Sequence, residues 1–167
     1  TGRIWKVDTD WSAVCMESGF IVGNGFGWSP DGKRMYFTDS EMRTIYRYDS
    51  DVAGGLIDNK KVFAVIDASL GYPDGLTVDQ EGFVWSAHWD GWRVTRYQPD
   101  GQIDRVIELP VPRPTSLAFG GDHYERLFVT SAWDALNRRQ REEAPLSGAL
   151  FEIEAPVPGY ADTPFSG

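Results

Sequence analysis

Apolar residues recur along this chain at alternate positions, in short runs closed by Gly, Pro, Asp and Asn. Few windows place them at i, i+3, i+4 and i+7. Alternation with a period of two marks a half-buried strand, whereas an amphipathic helix needs the 3.6-residue period. The pattern predicts strands over 4–7, 34–38, 44–48, 61–66, 82–87, 93–97, 103–109, 126–131 and 149–153. Roughly one strand every ten residues points to an all-β sandwich, barrel or propeller. The Arg- and Glu-rich stretch 133–147 predicts a solvated insertion with room for one helical turn.

Internal repetition separates these architectures. Asn24-Gly25-Phe26-Gly27-Trp28-Ser29-Pro30-Asp31-Gly32 aligns with Asp74-Gly75-Leu76-Thr77-Val78-Asp79-Gln80-Glu81-Gly82. Both start on an oxygen-bearing residue and Gly, carry apolar residues two and four places on, and close on an acidic-Gly turn. Thr115-Ser116-Leu117-Ala118-Phe119 keeps the two apolar places. The heads at 24, 74 and 115 lie 50 and 41 residues apart. A four-stranded unit returning every ~40–50 residues is the signature of a propeller blade. Trp89-Asp90 and Trp133-Asp134 supply the dipeptide of WD repeats, yet both follow the second strand and no Gly-His precedes them, so that subtype is excluded. The phase predicts blades over 22–70 and 72–112, an incomplete blade over 114–155, the outer half of another over 1–20, and a tail over 156–167. That amounts to between three and four blades.

Composition narrows the partners. The 167 residues carry 16 Lys and Arg against 25 Asp and Glu, a net charge of −9, which disfavours phosphate-backbone binding and so nucleic acid. No apolar run approaches the ~18 residues of a membrane span. A single cysteine, Cys15, excludes an internal disulfide framework and a Cys-rich zinc site, and is read as buried filler. One cysteine and no glycosylation sequon lean towards the cytoplasm.

In a propeller the innermost strand of each blade starts at one mouth of the central channel, and the second strand returns there. Asn24, Asp74 and Thr115 are therefore expected around one mouth, with Asp39-Ser40, His88-Trp89 and 131–133 on its rim. Converging carboxylate and amide oxygens suit a hard divalent cation. Turn readings compete: Asn24-Gly25 fits a type I′ hairpin and Pro73-Asp74-Gly75 a β-turn. Pro-Asp-Gly also occurs at 30–32 and 99–101, where it falls between strands. Only Asp74 shares the phase of Asn24, which singles it out and leaves Asp31 and Asp100 as turn residues. His88 reads equally as a rim ligand-binder or a hydrogen-bonded structural histidine, and His123 as a loop residue. Tyr and Trp on the strands read as packing, with Trp89 and Trp133 alone placed to line a pocket. The chain has no G-x-S-x-G, and no dinucleotide fingerprint followed by a helix.

Residues 24–32 with Tyr36-Phe37-Thr38-Asp39-Ser40 resemble the central motif of the SMP-30/gluconolactonase (regucalcin-like) family. Pro73 to Asp79 with Glu81-Gly82, Trp85, Ala87, Gly91, Arg93-Val94 and Arg96 resembles its next signature. Pro114-Thr115-Ser116 to Gly121, Leu127 to Thr130, and Gly148 to Phe151 with 165–167 resemble the remainder. The likeness runs in order over nearly the whole chain.

The resemblance implies a six-bladed propeller that hydrolyses sugar-acid lactones with one divalent cation (Ca²⁺, Zn²⁺, Mn²⁺ or Fe²⁺). It implies Asn24 as the amide ligand and Asp74 as both carboxylate ligand and general base. His88, Trp89 and Thr115 are candidate substrate contacts; no organic cofactor site is expected. The family's third ligand is a Glu in a Gly-Glu-(Gly/Ser)-Pro motif, which this sequence lacks; Met16-Glu17-Ser18-Gly19 has no proline. The resemblance therefore implies the C-terminal half of such an enzyme, with weak or no activity for the 167 residues alone. The alternatives are a non-catalytic propeller and a relative acting on another ester or an organophosphate.

Overall fold

The computed structural model describes residues 1–165; Ser166 and Gly167, the end of the expected tail, lie outside the described residues. The first antiparallel sheet pairs β1 (Gly2–Val7) with β2 (Ala13–Phe20). A second runs β3 (Gly23–Trp28), β4 (Arg34–Asp39), β5 (Thr44–Asp51) and β6 (Leu56–Val65). A third runs β7 (Tyr72–Val78), β8 (Val84–Trp89), β9 (Arg93–Tyr97) and β10 (Ile103–Glu108). The last holds β11 (Pro114–Gly120), β12 (Arg126–Ser131) and β13 (Leu150–Glu154). Every sheet is a meander of sequence neighbours. Successive innermost strands touch, β3 against β7 and β7 against β11, so the sheets stand like adjacent blades.

Strand alternation sends successive side chains to opposite faces, and the core divides accordingly. On β8, Val84 joins Tyr36, Ile45, Phe63, Leu76 and Val78 between the second and third sheets. Its neighbour Trp85 turns the other way, to Val94, Val111, Leu117, Leu127 and Val129 between the third and fourth. On β4, Tyr36 joins the former cluster, while Met35 and Phe37 join Phe20 and Tyr48 beneath the first sheet. Burying one such side chain contributes about 1.5–3 kcal/mol, so each seam between sheets is a separate hydrophobic core.

The charged insertion forms α1 (Arg138–Glu143). Its start is a capping box: Asn137 accepts from the Gln140 N–H at 3.0 Å and Gln140 accepts from the Asn137 N–H at 2.9 Å. Arg138–Glu142 and Arg139–Glu143 pair one turn apart. Two expectations are corrected. Cys15 is exposed, because β2 is an outer strand with one paired edge. Not all strand tryptophans are packing: Trp85 is fully buried, but Trp5 and Trp28 are exposed and line a crevice between the first two sheets. Among the described residues no helix is long and apolar enough to cross a membrane.

Candidate functional site

The three inner strands break register at the same phase. Gly23 faces Asp39 and Phe26 faces Phe37; Pro73 faces His88 and Leu76 faces Ser86; Pro114 faces Ser131 and Ser116 faces Thr130. Each inner strand thus has one residue more than its partner, a β-bulge, and bulges re-aim side chains locally. The bulges fall on Asn24-Gly25, Asp74-Gly75 and Thr115. Both X-Gly pairs therefore lie inside strands, and the hairpin and β-turn readings are overturned.

Glycine is required beside the two carbonyl-bearing heads. A Cβ on Gly25 would lie 2.2 Å from the Leu76 nitrogen and 2.7 Å from the Asp74 carbonyl oxygen. On Gly75 it would lie 2.4 Å from Ser116 Oγ. Adjacent blades meet here backbone on backbone, which no larger residue permits. Gly25→Ala must push β3 away from β7, and the expected cost is about 1–3 kcal/mol, the usual penalty of overpacking. Chemical denaturation checks it; an unchanged midpoint would show that the strands can slide apart freely.

This close approach brings Asn24 and Asp74, from different sheets, into one cavity of about 380 Å³ with Ser40, Tyr72 and Trp89 on its walls. Asn24 Nδ2 donates to Ser40 Oγ at 3.2 Å. Burial pushes the Asp74 carboxyl up to about 6, while hydrogen bonds from the Asn24 side chain and the Gly75 N–H pull the other way. A carboxylate held partly out of water with so little compensation favours a cation beside it. Asp39, next along the rim, is already committed: its two oxygens accept from the Ile21 and Val22 N–H groups at 3.0 and 3.1 Å and fix the turn before β3.

The donor set fits a hard cation in part. Asn24 offers an amide oxygen and Asp74 a carboxylate, two of the six to eight oxygens that Ca²⁺ takes. Among the described residues no three His, Cys, Asp or Glu side chains converge. A second, larger crevice of about 550 Å³ runs between the first two sheets, but its walls are mainly apolar, with Trp5, Phe26 and Trp28. Asn24 lines both, but only in the smaller cavity does it meet a half-buried carboxylate.

The other candidates separate. Trp89 lines the cavity; Thr115 does not, its Oγ1 pairing with Thr130 Oγ1 at 2.7 Å within its own sheet. Trp133 is exposed, with the Arg141 guanidinium 3.9 Å from its ring centre, and is not on the cavity wall. Asp31 and Asp100 close turns, accepting from the Lys33 and Gln102 N–H groups. His123 is exposed. Tyr72 and Glu41 were not singled out from sequence: each sits one step off a recognised element, and only the fold turns them to the cavity.

His88 is not a rim residue open to ligand. It is 1% exposed. Its Nδ1 lies 3.0 Å from the Leu70 carbonyl, to which only an N–H can donate, leaving Nε2 to accept from the Tyr97 hydroxyl at 3.4 Å. It thus pins the 3₁₀ turn Ala68–Leu70 that leads into β7. Burial lowers its pKa to about 4, helped by the nearby Arg93 cation and opposed by the Leu70 bond. A histidine with a depressed pKa stabilises the fold while the unfolded chain is also neutral. That contribution is lost as pH falls from about 6.5 towards 4, a swing of about 3 kcal/mol. Asp74 titrates oppositely in part of this range, so the useful quantity is the stability difference between wild type and His88→Gln. It is expected to shrink by that amount from pH 7 to pH 4; a constant difference would refute a neutral buried His88.

Comparison with known proteins places this geometry. Residues 1–133 match the family model described as the SMP-30/Gluconolactonase/LRE-like region. The chain is 36% identical over 166 residues to the 6-deoxy-6-sulfogluconolactonase of Pseudomonas putida, covering 99% of this chain and 57% of that protein. It is 40% identical over 147 residues to the L-arabinolactonase of Azospirillum brasilense, covering 87% and 48% respectively. It superposes on the crystal structure of a calcium-binding protein, regucalcin, from Agrobacterium tumefaciens with a TM-score of 0.92 and 30% identity, covering 98% of this chain and 55% of that one. The chain spans about half the length of the curated relatives it matches. Its four sheets are accordingly part of a six-bladed propeller-like fold, matching about half of those structures. The chain belongs to the SMP-30/gluconolactonase/LRE-like family.

Proposed function

We propose that the native protein containing these residues hydrolyses sugar-acid lactones with one divalent cation held in part by Asn24 and Asp74. One observation carries this reading: two inner-strand bulges from different blades bring an amide side chain and a half-buried carboxylate to a single cavity lined by Tyr72 and Trp89. The lactonases among its relatives support the substrate class. The calcium-binding relative supports the cation, whose identity among Ca²⁺, Zn²⁺, Mn²⁺ and Fe²⁺ the all-oxygen donor pair tilts towards the harder members.

A bound cation would polarise the lactone carbonyl and stabilise the oxyanion that forms there. Asp74 would take a proton from the attacking water as the water oxygen bonds to the carbonyl carbon. The ring C–O bond then breaks, and the same proton passes to the leaving oxygen, giving the open hydroxy acid. Asn24 holds its amide in place through Ser40, and Tyr72 and Trp89 line the same cavity.

The test is turnover of glucono-1,5-lactone by the full native chain containing these 167 residues, stripped of metal and then titrated with each cation. Activity is expected to vanish on stripping and to return with one equivalent. Undiminished hydrolysis by the stripped protein would overturn the reading. Stoichiometric cation binding without any lactone turnover would favour the non-catalytic alternative.

A further inference from the structure

Tyr72 and Trp89 stand opposite each other across β7 and β8 and line the cavity together. Each ring carries a guanidinium: Arg43 lies 3.6 Å from the Tyr72 ring centre and Arg113 lies 4.6 Å from that of Trp89. Neither arginine is on the cavity wall. Arg113 is the more deeply set, 9% exposed, in the connection between β10 and β11. Its Nε donates to Asp90 Oδ1 at 2.6 Å and its Nη1 to the Asp134 carbonyl at the root of the insertion. The same segment is anchored by main-chain bonds, from the Trp92 N–H to the Pro112 carbonyl and from the Ala132 N–H to the Arg113 carbonyl. Three rim segments, the 89–92 turn, the 109–114 connection and the insertion, thus meet on one side chain. A planar guanidinium can donate along two in-plane directions while its face covers an aromatic ring; an ammonium cannot do both.

We propose that Arg113 is a positioning residue that holds Trp89 as the wall on which the apolar C–H face of a neutral or anionic sugar lactone rests. The inference rests on the lactone reading above and adds the residue that sets affinity. The wall touches a part of the substrate that does not react, so its contact is equal in ground and transition states. Loosening it raises KM and leaves kcat nearly alone. A cationic sugar is disfavoured, since the guanidinium stands behind the ring it would stack on.

The experiment uses the full native chain with Arg113→Lys, Trp89→Leu and the double variant. Steady-state kinetics on glucono-1,5-lactone are combined with calorimetric binding of the corresponding δ-lactam, which has no hydrolysable ester. Arg113→Lys is expected to raise KM and weaken lactam binding about tenfold with kcat within about twofold. In the Trp89→Leu background it is expected to add nothing, because the wall it positions is gone. If wild type binds the lactam and Arg113→Lys binds it equally well, the positioning role is overturned while the lactone reading stands. An equal KM penalty with and without Trp89 overturns it too. If wild type neither binds the lactam nor hydrolyses the lactone, the lactone reading fails and this inference falls with it.

Discussion

Asp74→Asn is expected to abolish lactone turnover in the full native chain while making the metal-free fold more stable. The amide keeps the shape of the side chain and can still accept from the Asn24 side chain and the Gly75 N–H. It removes the negative charge that the cation and the water proton both require, and general-base loss alone costs about 10²–10⁴ in rate. The stability gain follows from the raised carboxyl pKa. Above pH about 6 the folded protein holds a charge that its half-buried setting disfavours, whereas the unfolded chain holds it freely near 3.8. Relief of that mismatch is expected to add about 1–3 kcal/mol at pH 7.5 and nothing below pH 3.8. Turnover assays and urea titrations on the same preparations check both halves. An active Asp74→Asn protein would remove Asp74 from the chemistry; an inactive one that is also unfolded would leave the residue structural.

Asp79→Asn, five residues along the same chain segment, is expected to do the reverse and cost the fold about 2–4 kcal/mol, from buried donors left without an acceptor. Asp79 is fully buried. One carboxylate oxygen accepts from the Glu81 and Phe83 N–H groups, both at 3.0 Å, and the other from Trp85 Nε1 at 2.9 Å and Arg96 Nε at 2.8 Å. Asparagine offers one acceptor oxygen where four donors converge, and turns an N–H towards the rest. Arg96 keeps Glu81 and Asp104, so its charge is not orphaned and the loss belongs mainly to the turn and the Trp85 indole. Against the 5–15 kcal/mol typical of a domain, this is a large fraction. A drop in the urea midpoint with an unchanged denaturant slope is the expected signature; a midpoint within experimental scatter of wild type would refute the assignment.

Periodicity made most of the strands readable, and repeat phase the equivalent places of Asn24 and Asp74 at the heads of their strands. The bulges were not. Asp74, Leu76 and Val78 are spaced by two, and a regular strand would turn all three to the same core face. Only the register break between Pro73 and Leu76 frees Asp74 from that face, and Gly75, a common mark of a bulge, does not by itself set the register. The same local arithmetic left His88 open between a ligand-binder on the rim and a structural histidine. Its place at a strand end suggested a rim, but the backbone of Leu70, eighteen residues earlier, closes over it. Cys15 was misread because burial was inferred from residue type in a strand whose outer edge is unpaired. Tyr72 was missed because its significance depends on Trp89 across the sheet and on Arg43 from the neighbouring blade.

The register breaks have an evolutionary consequence. An extra residue at the head of each inner strand uncouples the side chain there from the hydrophobic alternation that follows it. Asn, Asp and Thr occupy the same phase in three blades whose downstream apolar places are alike. Mutation at these heads can therefore exchange one donor chemistry for another without moving any methyl group in the seams between blades. A substitution at one of these heads is accordingly expected to leave the hydrophobic seams between the sheets packed as they are.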